Sequence, residues 1–143
     1  MRVNRNQRRL FIAPRRSKLD DTREKEIQAA CIQWLNSVPG VKMWRQNRGG
    51  MVLPNPGGGT RLVTFGHKGA TDSTGSGPGG IRIDIEFKRP GKVPDLEQEN
   101  YMEMIRSAGG ISFWCDSLRS CVEQLRAEFI KRGFGWKESW ECY

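Results

Sequence analysis

In "GGIRIDIEFKRPGK" (79–92), Asp84, Glu86 and Lys88 alternate with Ile83, Ile85 and Phe87. A period of two predicts a strand with an apolar face and a charged face. Carboxylates are disfavoured on strands, so two of them beside a lysine point to a face lining a cleft. Hard divalent cations such as Mg²⁺ take oxygen ligands and keep several waters. A metal held this way lowers the pKa of its water and stabilises charge on a phosphoryl oxygen. A neighbouring ammonium orients that water or accepts its proton. Glu-x-Lys after an earlier Asp is therefore a sufficient set for phosphodiester hydrolysis. By itself, Glu-x-Lys is also a common pattern on amphipathic strands, and an ordinary solvated face is the competing reading.

Three further residues extend the pattern. Asp72 sits in a glycine-rich turn, 14 residues before Glu86, from which it can fold back beside the glutamate. An Asx turn in "ATDSTG" explains it equally well. Glu24 lies about 60° from Ile27 on a helical wheel, so it borders a buried stripe and can complete an acidic cluster. A capping box with Asp21 is the alternative. Gln98 precedes Tyr101 and Met102 by three and four residues, on the inward side of a helix. It too can close a capping box, with Asp95, and the two roles are compatible.

The elements that position these residues follow from pattern and punctuation. "DDTREKEIQAACIQWLNSVPG" reads as a helix N-capped at Asp21, with Ile27, Ala30, Cys31, Trp34, Leu35 and Val38 on one stripe. "VKMWRQN" (41–47) and "TRLVTF" (60–65) read as strands joined by a Gly/Pro-rich connection. A second glycine-rich loop leads into "IRIDIEFK". A helix capped at Asp95 and closed by Gly109-Gly110 follows, then a strand, "ISFWC", and a helix from near Ser117 to Gly133. Strands and helices in the order α-β-β-β-α-β-α make an α/β or α+β sandwich around one mixed sheet. "NPGGGT" lacks the G-K-[ST] ending of a phosphate loop, which excludes a nucleotide triphosphatase of that type.

The chain of 143 residues suits one domain. It has no apolar run of about 20 residues for a membrane span, and its basic start lacks the core of a secretion signal. Of the net charge of +8, seven units fall on residues 1–18, which hold Arg2, Arg5, Arg8, Arg9, Arg15, Arg16 and Lys18 and no acid. The body is thus nearly neutral. Residues 1–19 read as a flexible arm that neutralises phosphates, 20–133 as the folded domain, and 134–143 as an aromatic tail. Contact by all seven cations sets an upper bound of about −6 on the log–log salt slope. The alternative is a solubilising or targeting tail. Arg45, Arg48, Arg61 and Lys68, near predicted strand ends, and Arg89 are further candidates to grip a nucleic-acid backbone. Four cysteines without a C-x-x-C pair and a single histidine argue against a zinc site. Cys31 and Cys115 read as core residues, and this usage fits a reducing cytoplasm. His67 reads as a loop residue near phosphate. Phe134, Trp136, Trp140 and Tyr143 either pack back on the domain, meet a second subunit, or stack on unpaired bases.

Residues 22–130, and above all "KGATDSTGSGPGGIRIDIEFKRPGKVPDLEQENYMEMIRSAGGISFWCDS", resemble the VRR-NUC domain of the PD-(D/E)XK nuclease superfamily. The most specific part is Glu-x-Lys followed by R-P-G, a glutamine ten residues past the lysine, and a helix ending in G-G before an apolar strand. The resemblance implies a restriction-endonuclease-like αβββαβ core, with a central mixed sheet flanked by helices. It implies Asp72 and Glu86 as metal ligands, helped by the main-chain carbonyl of Phe87, and Lys88 as the catalytic lysine. Glu24 matches the first-helix glutamate and Gln98 the helix glutamine. Members of the family cut DNA, often branched or flapped, with Mg²⁺ or Mn²⁺, and some stand-alone members from phage and bacteria work as homodimers. Three departures stand out. Thr71 replaces a frequent proline, Ser73-Thr74-Gly75 replaces apolar residues, and Asp84 adds an acid, read as solvated. The expectation is a structure-selective, metal-dependent endonuclease. A DNA-binding module with an inert site is the rival, and a sequence-specific restriction enzyme lacks a separate recognition region.

Overall fold

The computed structural model describes residues 18–141, with side chains on the first helix from residue 23 onward. Arg15 and Arg16, and with them nearly the whole basic arm, lie outside the described residues, as does Tyr143. The described residues form three α-helices: α1 (Lys18–Leu35), α2 (Leu96–Ser107) and α3 (Leu118–Lys131). Six strands accompany them: β1 (Lys42–Arg45), β2 (Gly49–Pro54), β3 (Thr60–Phe65), β4 (Ser73–Ser76), β5 (Arg82–Phe87) and β6 (Ile111–Cys115). The main sheet has the order β1-β4-β5-β6, and β2 and β3 form a separate antiparallel hairpin. The β1/β4 and β4/β5 pairs are antiparallel, and β5/β6 is parallel with α2 as the crossover. The fold class is mixed α/β, with the four-stranded mixed sheet between α1 and α3 on one face and α2 on the other.

Ile83, Ile85 and Phe87 of β5 are fully buried against Cys31, Trp34 and Leu35 of α1 and Val122, Leu125 and Phe129 of α3, in one apolar core. Cys31, Cys115 and Cys121 bring three thiols from α1, β6 and α3 within 4.8 Å of one another there. Hydrogen bonding among the sulfurs, together with burial, pushes the Cys115 thiol up. The aromatic tail packs back on this core. Trp136 lies edge-on to Phe129 and Trp140, and Trp34 Nε1 donates to the Trp140 carbonyl at 2.6 Å. Among the described residues, no helix is long and apolar enough to cross a membrane.

Several boundaries differ from the sequence reading. α1 begins at Lys18, so Asp21 lies inside it and is not its N-cap, and the arm boundary at 19/20 falls within its first turn. The 48–59 connection contains β2, and the 66–80 loop contains β4. β4, not 60–65, is therefore the second strand of the main sheet. "STGS" has little strand propensity, and pairing with β1 on one side and β5 on the other holds it. Gly75 permits that approach, since a Cβ there would come within 2.0 Å of the Lys42 carbonyl oxygen. By contrast, α2 starts as expected. Asp95 Oδ1 accepts from Gln98 N at 2.9 Å, and Gln98 Oε1 accepts from Asp95 N at 3.0 Å.

Candidate active site

The β4/β5 register pairs Ser73 with Ile85, so Asp72, one residue earlier, arrives opposite Glu86. The two acids are locked reciprocally. The Asp72 amide donates to Glu86 Oε2 at 3.1 Å, and the Phe87 amide donates to Asp72 Oδ2 at 3.0 Å. Lys88 follows on the same face of the strand, and its Nζ donates to Glu86 Oε1 at 2.7 Å. Gln98 completes the shell. While its Oε1 closes the capping box of α2, its Nε2 donates to Glu86 Oε1. The predicted set Asp72, Glu86, Lys88 and Gln98 therefore converges, and both roles of Gln98 hold at once.

From α1, the Gln28 side-chain amide donates to the Asp72 carbonyl at 3.3 Å, and the Gln46 amide reaches the same oxygen at 2.8 Å. Glu24 is half-buried one helical turn before Gln28, on the same side of α1. Among the described residues, the one group of three Asp, Glu, Cys or His ligands within 4.8 Å is the cysteine cluster. Glu24 thus does not close a three-carboxylate cluster with Asp72 and Glu86.

Asp84 is not solvated as expected; it is fully buried. Arg82 donates to both its carboxylate oxygens, at 3.1 and 3.0 Å, Tyr101 donates its hydroxyl at 3.0 Å, and Thr74 donates as well. The face of β5 bearing the charges is a second interior, covered by α2, rather than a wet surface. Asp84 spends its oxygens on this network and stands apart from the metal question.

The candidate cations separate into groups. Arg45 is exposed at the end of β1, paired with Ser73, and Arg89 is half-buried just past Lys88. Arg61 is exposed near the far end of the hairpin. Lys68 forms a 2.6 Å ion pair with Glu97. Arg48 is not an outward-facing grip. Its NH2 lies 3.6 Å from Asp72 Oδ1 and 3.8 Å from Glu86 Oε1. No feature of "QNRGG" marks that contact in the sequence. The His67 ring lies tilted by 47° against Tyr101, 5.3 Å between ring centroids, with Nδ1 2.7 Å from the Lys68 carbonyl oxygen.

The site brings a fully buried carboxylate beside one that is 22% exposed. These are hard oxygen donors, one reachable from solvent, and they fit Mg²⁺ or Mn²⁺ better than a soft ion. Burial, followed by the neighbouring Asp72 charge, pushes the Glu86 carboxyl up to about 7, against the pull of Lys88 and Arg48. A carboxyl raised in this way contributes stability below its unfolded value of 4.5, and loses it as pH rises through about 7. Without divalent ions, the unfolding free energy is expected to fall across that window by roughly 3 kcal/mol, at about 1.4 kcal/mol per unit. Urea titrations of the wild type and Glu86→Gln at several pH values check this, because the glutamine variant should lack that component.

No protein-family model matches the chain, and no curated protein matches it in sequence.

Proposed function

We propose that the chain is a Mg²⁺- or Mn²⁺-dependent endodeoxyribonuclease of the PD-(D/E)XK type, similar to VRR-NUC domains, acting on DNA in the cytoplasm. The observation that carries this reading is the reciprocal locking of Asp72 and Glu86, with Lys88 Nζ 2.7 Å from Glu86. The chain order α1, β1, β4, β5, α2, β6 with the sheet order β1-β4-β5-β6 supports a restriction-endonuclease-like core. The hairpin β2–β3 is then an insertion between its first two strands.

Asp72 and Glu86 are the residues to hold the metal, with the Phe87 carbonyl as the third donor implied by the resemblance. Bound there, the ion supplies an activated water and stabilises charge developing on the phosphoryl oxygens. Lys88, buried and fixed by Glu86, presents an ammonium to orient the phosphate or the attacking water. Gln98 holds the Glu86 carboxylate in one rotamer from the first turn of α2. Arg45, Arg89 and the basic arm bind the sugar–phosphate backbone, which positions DNA without reading its sequence. Selectivity then rests on DNA shape, such as a flap or junction.

A second reading, a DNA-binding module with an inert site, draws on one observation. Lys88 and Arg48 already balance the two acids without any metal. Incubating the protein with labelled duplex, flap and four-way DNA, with and without Mn²⁺, separates the two. The nuclease reading expects metal-dependent products from the wild type and none from Glu86→Gln. Retention of DNA in a gel with no product from any substrate in Mg²⁺ or Mn²⁺ would establish the module instead.

A further inference from the structure

Two cations serve the acid pair, and they are mounted differently. Lys88 is on the same strand as Glu86, and its side chain is only 5% exposed. Arg48 sits in the short link between β1 and β2, and its side chain is one-third exposed, at 33%. Its NH1 donates to the Ala70 carbonyl, which aims NH2 at Asp72 Oδ1 and Glu86 Oε1 together. The hairpin closes tightly on its stem, since a Cβ on Gly66 would meet Arg48 Cβ at 2.9 Å. Beside it opens a groove of about 410 Å³. Arg48, Phe65, His67 and Lys68 are among the residues that line it.

A divalent ion shared by Asp72 and Glu86 needs the carboxylate oxygens that Arg48 NH2 approaches. Two positive charges that close repel each other, so the guanidinium and the ion compete. We infer that Arg48 is a displaceable internal counter-ion, which occupies the acid pair in the metal-free protein and turns into the adjoining groove to meet a DNA phosphate when the ion enters. This inference rests on the metal-site reading above. It goes further in coupling the two ligands. A phosphate that takes Arg48 away from the acids tightens metal binding, and by reciprocity the metal tightens DNA binding. Arg48 is thus a positioning residue that favours a loaded site only when DNA is present. Turning it gives up the bond to the Ala70 carbonyl, and the side chain is already one-third exposed.

The test measures Mn²⁺ affinity directly, by calorimetry and by loss of the free-ion paramagnetic resonance signal. It uses the wild type, Arg48→Gln, Arg48→Lys and Glu86→Gln. In the absence of DNA, Arg48→Gln is expected to bind Mn²⁺ about tenfold more tightly than the wild type, within the usual range of coupling. Arg48→Lys should fall between them. A phosphorothioate-linked duplex should tighten Mn²⁺ binding in the wild type and leave Arg48→Gln nearly unchanged. Circular dichroism checks that each variant is folded, and Arg48→Lys carries the comparison should Arg48→Gln unfold. Equal or weaker Mn²⁺ binding without Arg48, with Glu86→Gln still losing the ion, overturns the counter-ion role and leaves the metal site standing. Absence of Glu86-dependent Mn²⁺ binding in every form overturns the metal site, and the inference with it.

Discussion

On the nuclease function proposed above, Lys88→Met is expected to lower the single-turnover rate of DNA cleavage by about 10³-fold, the scale of losing one positioned acid–base or charge-stabilising group. Methionine keeps the length of the buried stem and removes only the ammonium, so the fold should persist. The lost group is specific. The Lys88 ammonium is 2.7 Å from Glu86 Oε1 and one of the forces opposing the upward shift of that carboxyl. Removing it therefore moves the Glu86 pKa higher still, and the residual activity should require higher pH than the wild type. Gel retention of the same DNA at fixed salt should stay within about twofold of the wild type, because phosphate contacts by exposed cations dominate affinity. A variant that cuts at the wild-type rate would remove Lys88 from the mechanism.

Asp84→Ala is expected to destabilise the protein by about 3 kcal/mol, seen as a lower urea midpoint. Breaking a buried ion pair costs roughly 3–5 kcal/mol, and the low end applies because the freed Arg82 can rehydrate. The Arg82 side chain is 53% exposed, while Asp84 is fully buried. The Tyr101 hydroxyl loses an acceptor, although Arg82 NH2 also lies 3.0 Å from it. A midpoint unchanged in Asp84→Ala would show that the network adds nothing to stability.

The two strand acids show how far the sequence could be read. Glu86, Lys88 and Gln98 were legible because short-range spacing fixes them, two residues along a strand and one turn into a capped helix. Asp72 was placed in a turn able to fold back beside Glu86, but the strand that brings it there was not, since "STGS" carries no alternation to announce β4. Asp84 was misread because alternation reveals two faces but not which of them meets water. A sheet covered by helices on both sides buries its polar face as well as its apolar one. "TRLVTF" was rightly a strand but was placed in the wrong sheet, because a short apolar run does not specify its partner. The contact of Arg48 with Asp72 and Glu86 had no signal. A link residue acquires its role only when the chain on both sides is in place.

Asp72, Glu86, Lys88 and Gln98 all come from one uninterrupted stretch, residues 72–98, built as β4, β5 and the start of α2. Loop-closure entropy grows with the length of chain enclosed, so bringing these four together costs little beyond forming neighbouring elements. Arg48 and Gln28 must be delivered from earlier in the chain, across the hairpin and the first helix. The four groups therefore lie close together in sequence, and their restraints arrive by long-range contacts. Sequence drift in the outer parts of the chain can retune the second without dismantling the first.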